Sequence, residues 1–228
     1  METIINQDES VTLLECPCCH WRGESFLPFG LIPRQNAQCP QCKALERHRL
    51  YYLYLDKVLP QDRKLKVIHF APEKSIEKKL KSFDNVDYLS VDINPKRAMK
   101  QEDITQISFE DNSFDVIFCS HVLEHIDDDR KAMRELRRIL KPEGFAMLQV
   151  PLRMSLEKTY EDDSITDPKD REVAFGLDEH VRLYGRDYKD RLEESGFKVK
   201  VDKFSDNFNE EQTKKYFLRE EDIFYCTK

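Results

Sequence analysis

The chain has 228 residues, 39% hydrophobic and 36% charged, with a net charge of −7. That length fits one full domain with a small appendage, and no apolar run approaches the roughly 20 residues that span a membrane. The acidic balance argues against a nucleic-acid partner, because such affinity rests on a basic surface.

The opening METIINQDES is polar and acidic and does not read as a signal peptide. The expected setting is the reduced cytoplasm, where grouped cysteines more often bind metal than form disulfides. Five of the seven cysteines lie in residues 1–43, in the pairs Cys16-Pro17-Cys18-Cys19 and Cys39-Pro40-Gln41-Cys42. Each tight turn can supply two thiolates, and two such turns complete a tetrahedral zinc site. Cys16, Cys19, Cys39 and Cys42 are the expected ligands, with Cys18 spare and His20 a turn residue. The alternative is a set of free or redox thiols. Zinc would supply folding energy to a ribbon too small for its own core. The first 57 residues carry 6 basic and 7 acidic side chains, which is no nucleic-acid footprint.

A helix is expected over 44–59, with Leu45, Leu50, Leu53, Tyr54 and Val58 on one face, broken by Pro60-Gln61-Asp62. Strands and helices then alternate. Strand 65–70, helix 75–83 and strand 86–91, ending at Asp92, precede a strand over 114–119. Asp127, Asp128 and Asp129 open a helix whose stripe is Ala132, Met133, Leu136, Ile139 and Leu140, stopped by Pro142 and Gly144. A strand follows at 145–150. Residues 153–182 are polar and aperiodic, which predicts an insertion with a functional or lid role. Helix 186–195, ended by Gly196, and strands 197–204 and 223–226 complete the pattern.

The fold class is α/β: a Rossmann-like sheet, parallel with an antiparallel C-terminal edge, behind a small N-terminal zinc ribbon. The expected division is a ribbon at 1–43, a helical connector at 44–60 and a larger domain at 61–228, with 153–185 as its lid or substrate insertion. In open parallel sheets ligands bind at the carboxyl ends of the strands. Cys119, Ser120 and His121 fall at that edge.

The segment FDVIFCSHVLEH at 114–125, the aspartate-rich helix start and the turn LKPEG at 140–144 resemble class I S-adenosylmethionine-dependent methyltransferases. The likeness runs from Lys64 to Lys228. It implies an S-adenosylmethionine cofactor, with Asp92 on the ribose hydroxyls and Ile93 beside it. It places Asp103 and Ile104 at the adenine, Phe70 and Ala71 under the cofactor, and Ser120 and His121 at the methionine end. The departure lies at 68–75, where Ala71, Glu73 and Ser75 stand in place of the G-x-G-x-G glycines; the chain has only 6 glycines. Glu73 can instead meet the cofactor's ammonium.

Methyl transfer to oxygen or nitrogen can need a base, most often histidine. His180, with Asp178 or Glu179 as orienter, is the best candidate, and His121 is the first choice to line the site. His125 reads as structural. Arg182 and Tyr184 are candidate anchors for an anionic or hydroxylated substrate. Arg47 and His48, in the LERHR segment at 45–49, are candidate substrate contacts capping the pocket. LERHR and DEHVRLYGRDY at 178–188, with the cysteine pairs, are similar to a bacterial subgroup of zinc-ribbon methyltransferases. The expected acceptor is a small molecule or a glycan-type metabolite. The alternatives are an RNA or protein methyltransferase that docks through the ribbon, and a non-catalytic zinc-stapled binding protein. No membrane partner is expected, and no feature fixes an oligomeric state.

Overall fold

The computed structural model describes residues 13–228, so the METIINQDES stretch lies outside the described residues. Two compact units emerge, Met1–Val58 with Phe204–Glu221, and Leu59–Lys203 with Asp222–Lys228.

In the first unit, β1 (Leu14–Glu15) pairs antiparallel with β2 (Arg22–Gly23), and β3 (Leu27–Phe29) with β4 (Arg34–Gln38). Helix α1 (Glu46–Val58) follows. The two cysteine turns are built alike. The His20 amide donates to the Cys16 carbonyl at 2.7 Å and the Lys43 amide to the Cys39 carbonyl at 3.0 Å. His20 and Lys43, each just after its pair, take left-handed backbone at φ 60° and 63°. The His20 side chain is 80% exposed, as a turn residue's should be.

Residues 204–221 were expected in the larger domain, and the compact units place them with the ribbon instead. The physical reason is Arg49, whose guanidinium is fully buried. It donates to the Ala37 carbonyl at 3.0 Å and, far along the chain, to the carbonyls of Tyr216 at 2.8 Å and Phe217 at 3.0 Å. A buried guanidinium needs all its donors met. It also lies over the Phe26 ring at 4.2 Å. Glu46 adds ion pairs to Arg34 at 3.1 Å and Arg219 at 3.4 Å.

The second unit carries β5 (Leu65–Phe70), α2 (Lys74–Lys81), β6 (Val86–Asp92), β7 (Lys100–Gln101), β8 (Phe114–Ser120), α3 (Asp129–Ile139) and β9 (Leu140–Gln149). It continues with β10 (Tyr160–Glu161), α4 (Pro168–Phe175), β11 (Arg182–Leu183), α5 (Tyr188–Glu194), β12 (Lys198–Asp202) and β13 (Ile223–Thr227). The seven-stranded sheet has the order β12-β13-β9-β8-β5-β6-β7. β5 to β9 run parallel, and β12 and β13 form the antiparallel edge. β8 is buried along its whole length, as its mostly apolar sequence favours, with Asp115 met by its own donors. Asp128 caps α3 by accepting the Lys131 amide at 2.8 Å. Ala132, Met133, Leu136 and Ile139 are the buried face of α3.

Pro142 and Gly144 do not form a free turn after α3. β9 begins directly at Leu140, and the pair lies in a bulge where Phe114 faces Leu140 and Val116 faces Phe145. Gly144 is there because a Cβ would come within 2.6 Å of the Asp115 carbonyl oxygen. Asp115 ties this end of the sheet together. It accepts from Arg63 at 2.6 Å, the Lys66 amide at 2.9 Å and Lys141 at 2.7 Å. Burial alone would raise its carboxyl, but these donors outweigh burial and hold it below the usual aspartate value.

The 153–185 stretch is ordered by charge rather than by an apolar face. β10 pairs with β11, Glu161 facing Arg182. Glu161 accepts from Arg182 at 2.9 Å and from Arg191 at 3.1 Å, and Arg191 reaches Asp129 at 3.0 Å. Among the described residues no helix is long and apolar enough to cross a membrane.

Candidate active site

A cavity of about 600 Å³ opens at the carboxyl ends of β5 and β6 and beside the turn after β8. Phe70 and Ala71 leave β5 into its wall, and Asp92 and Ile93 leave β6. Asp103 and Ile104 come from the loop after β7.

Ala71 has φ 46°, a left-handed backbone that costs a residue bearing a Cβ about 1 kcal/mol or more. The turn keeps the shape a glycine would favour although no glycine is present. Glu73 is held against the buried His69, whose Nε2 lies 2.9 Å from the Glu73 Oε2, while Nδ1 lies 3.1 Å from the Tyr88 hydroxyl. Glu73 is not among the groups lining the cavity.

Asp92 accepts the Asn94 amide at 2.8 Å through Oδ1. Asp103 accepts the Thr105 amide and hydroxyl, both at 2.8 Å, through Oδ1. Each carboxylate is thereby oriented by its own turn and keeps Oδ2 for a donor from the cavity.

Ser120 and His121 do not line the cavity. The Ser120 side chain is buried. His121 has φ 55°, and its Nδ1 lies 3.2 Å from the Glu124 Oε1. His125, read from sequence as structural, does line the cavity. Its ring meets that of His180 edge to face at 4.7 Å. Glu124, His125 and His180 bring possible ligand atoms within 4.8 Å of one another.

His180 is oriented by the Phe175 carbonyl, 3.3 Å from its Nδ1, and not by the side chain of Asp178 or Glu179. Burial pushes its pKa below the ordinary histidine value, against the opposing charge of Glu124. Spacing could not reveal this cluster. Glu124 and His125 are adjacent, but His180 arrives through the fold, its place fixed by the Val181 amide donating to the Glu124 carbonyl at 2.9 Å.

Arg182 and Tyr184, expected as substrate anchors, are engaged by the protein's own groups. Arg182 is buried and spends its donors on the carbonyls of Leu123 at 3.0 Å, Asp127 at 2.8 Å and Ile126, and on Glu161. Tyr184 is fully buried and donates to Asp129 at 2.7 Å. Arg47 and His48 lie on α1 of the other unit. His48 is buried, and its Nδ1 accepts the Leu45 amide at 3.2 Å.

In the ribbon, the sulfurs of Cys16, Cys19, Cys39 and Cys42 lie within 4.8 Å of one another. Cys16 and Cys42 are 3.6 Å apart, as are Cys19 and Cys39. A tetrahedron with metal–sulfur bonds of about 2.3 Å has edges of about 3.8 Å, so the donor set fits zinc.

The sheet order and the antiparallel edge are those of a Rossmann-like methyltransferase fold, with a cavity at the strand carboxyl ends. Residues 59–148 match a family model described as a methyltransferase domain. Over 51 residues the chain is 37% identical to the ubiquinone/menaquinone biosynthesis C-methyltransferase UbiE of Bdellovibrio bacteriovorus, a stretch covering 22% of each protein. Over 80 residues it is 36% identical to the uncharacterised protein MJ0638 of Methanocaldococcus jannaschii, covering 32% of this chain and 35% of that one. The chain thus spans about a third or less of the length of these curated relatives. A solved S-adenosylmethionine dependent methyltransferase from Mesorhizobium loti shares the fold at a TM-score of 0.56 and 15% identity, covering 78% of this chain and 98% of that one.

Proposed function

We propose that this protein transfers a methyl group from S-adenosylmethionine to an oxygen or nitrogen of a small-molecule or glycan-type acceptor. One observation carries the reading: the cavity is acidic. Asp92, Asp103, Asp127 and Asp128 line it, with Lys131 as the basic group. Such a lining complements a ligand that brings a sulfonium and an ammonium. When bound, the cofactor supplies a methyl carbon already activated by the sulfonium. The Oδ2 atoms of Asp92 and Asp103 accept from its ribose and adenine ends, which fixes the donor for in-line transfer. Phe70, Ile93 and Ile104 cover its apolar faces and exclude water. His125 on the cavity wall, His180 edge to face with it, and His121 against Glu124 are the imidazoles on the acceptor side.

Calorimetry with S-adenosylhomocysteine tests this. The wild type should bind saturably, and Asp92→Asn and Asp103→Asn should each weaken binding at least tenfold. No binding at millimolar ligand would leave a zinc-stapled binding protein as the better reading.

The four ribbon cysteines are proposed to hold one structural zinc, closed by four protein ligands and so without a catalytic position. The reading places the chain in a reducing compartment, since oxidising either sulfur pair removes two ligands. With the acidic balance of the chain, it favours a small acceptor over a nucleic acid.

A further inference from the structure

The Glu124 side chain is 1% exposed. Neither of its carboxylate oxygens accepts a hydrogen bond from any described group. The approach of His121 Nδ1 to Oε1 at 3.2 Å is an ion-pair distance off the line of a hydrogen bond. A carboxylate buried in this way costs several kcal/mol unless a positive charge compensates it.

The neighbouring imidazoles are arranged to supply lone pairs. His125 Nδ1 lies 3.2 Å from the Glu179 carbonyl oxygen, and His180 Nδ1 lies 3.3 Å from that of Phe175. A carbonyl only accepts, so each Nδ1 carries the proton and each Nε2 keeps its lone pair. Backbone carbonyls fix the tautomer of metal-ligating histidines in the same way. The frame is rigid as well: Val181 N donates to Glu124 O at 2.9 Å, and Arg182 locks onto Leu123 O at 3.0 Å.

We propose that Glu124, His125 and His180 form a site for one divalent transition cation, of the zinc, cobalt or iron class that two imidazoles and a carboxylate select. This site is separate from the ribbon thiolates and does not depend on methyl transfer. Its catalytic use rests on the methyltransferase reading. His125 also lines the cavity, so the cation lies beside the bound ligands, where it takes an acceptor hydroxyl and makes it more acidic. The hydroxyl proton goes to water, and the oxygen's lone pair forms the bond to the methyl carbon. The carbon–sulfur bond breaks with its electron pair returning to sulfur. The acceptor class is therefore a hydroxyl compound, and His180 acts as a ligand rather than as a free base.

The test is a Co²⁺ titration of the full chain, with the ribbon first filled with zinc and excess metal removed. Wild type should take up one further equivalent, giving visible d–d bands and no thiolate-to-metal charge-transfer band. Glu124→Gln and the half-exposed His125→Ala should each raise the Kd at least tenfold with circular dichroism unchanged. The inference is overturned by no uptake, by a thiolate band, or by an unchanged Kd in either folded variant. Parallel calorimetry with S-adenosylhomocysteine separates the two readings. Cofactor binding without Co²⁺ uptake overturns the cation site alone, and Co²⁺ uptake without cofactor binding overturns the transferase alone.

Discussion

Ala71 occupies a left-handed position at φ 46°, and a Cβ there is strained where glycine is not. Ala71→Gly should therefore raise stability by about 0.5–1 kcal/mol, the relieved strain exceeding glycine's extra unfolded-state entropy. A fall in the thermal midpoint would mean that the turn is not strained. This position also shows where the sequence was readable. Ala71 stands where a glycine was expected, so the turn could be located even though its usual residue is missing. Asp92 and Asp103 were readable for the same reason, since each ends a strand or opens a loop at a fixed place in the chain. Glu124 was not, because nothing local marks a carboxylate whose cluster with His125 is completed by His180, more than 50 residues away.

Asp115 joins β5, β8 and β9 through Arg63, the Lys66 amide and Lys141. Its folded carboxyl titrates below the unfolded value, so its contribution is present above about pH 4 and is lost as pH falls through the folded value. Asp115→Asn should cost about 2 kcal/mol at pH 7, and the gap to wild type should close below pH 4. Urea titrations across pH 3–7 measure it, and a gap independent of pH would remove the charge from the account. α3 was legible because its burial is periodic, and β8 because it is a short, mostly apolar run buried throughout. β10, α4 and β11 were not: Glu161, Arg182 and Arg191 hold that region by charge pairing, which leaves no periodic mark. Arg49 is a similar case. It lies in LERHR beside the expected contacts Arg47 and His48, yet it binds the carbonyls of residues 216 and 217. Arg49→Met should expose 204–221 to protease far faster than in wild type, because several buried carbonyls lose their donor, at about 1–3 kcal/mol each.

At the scale of the whole molecule, the two compact units depend on different forces. The seven-stranded unit has a continuous apolar core from Ile68 to Cys226. The ribbon unit has a small cluster of Leu14, Phe26, Ala44 and its own cysteines. A core of that size supplies only a few kcal/mol, whereas a tetrathiolate zinc site contributes about 10 kcal/mol or more of folding free energy. Removing zinc with a strong chelator should therefore melt one unit and spare the other. Hydrogen exchange read by mass spectrometry should show protection lost together over residues 13–58 and 204–221. Strands β5, β6, β8 and β9 should keep theirs. The joint loss is the discriminating outcome, because 204–221 contains no proposed ligand and is bound to the ribbon through Arg49. If 204–221 stayed protected after zinc left, Arg49 would not be the link between metal and C-terminal segment. If neither segment changed, the cysteines would hold no structural metal, and the unit would stand on its apolar cluster and ion pairs alone.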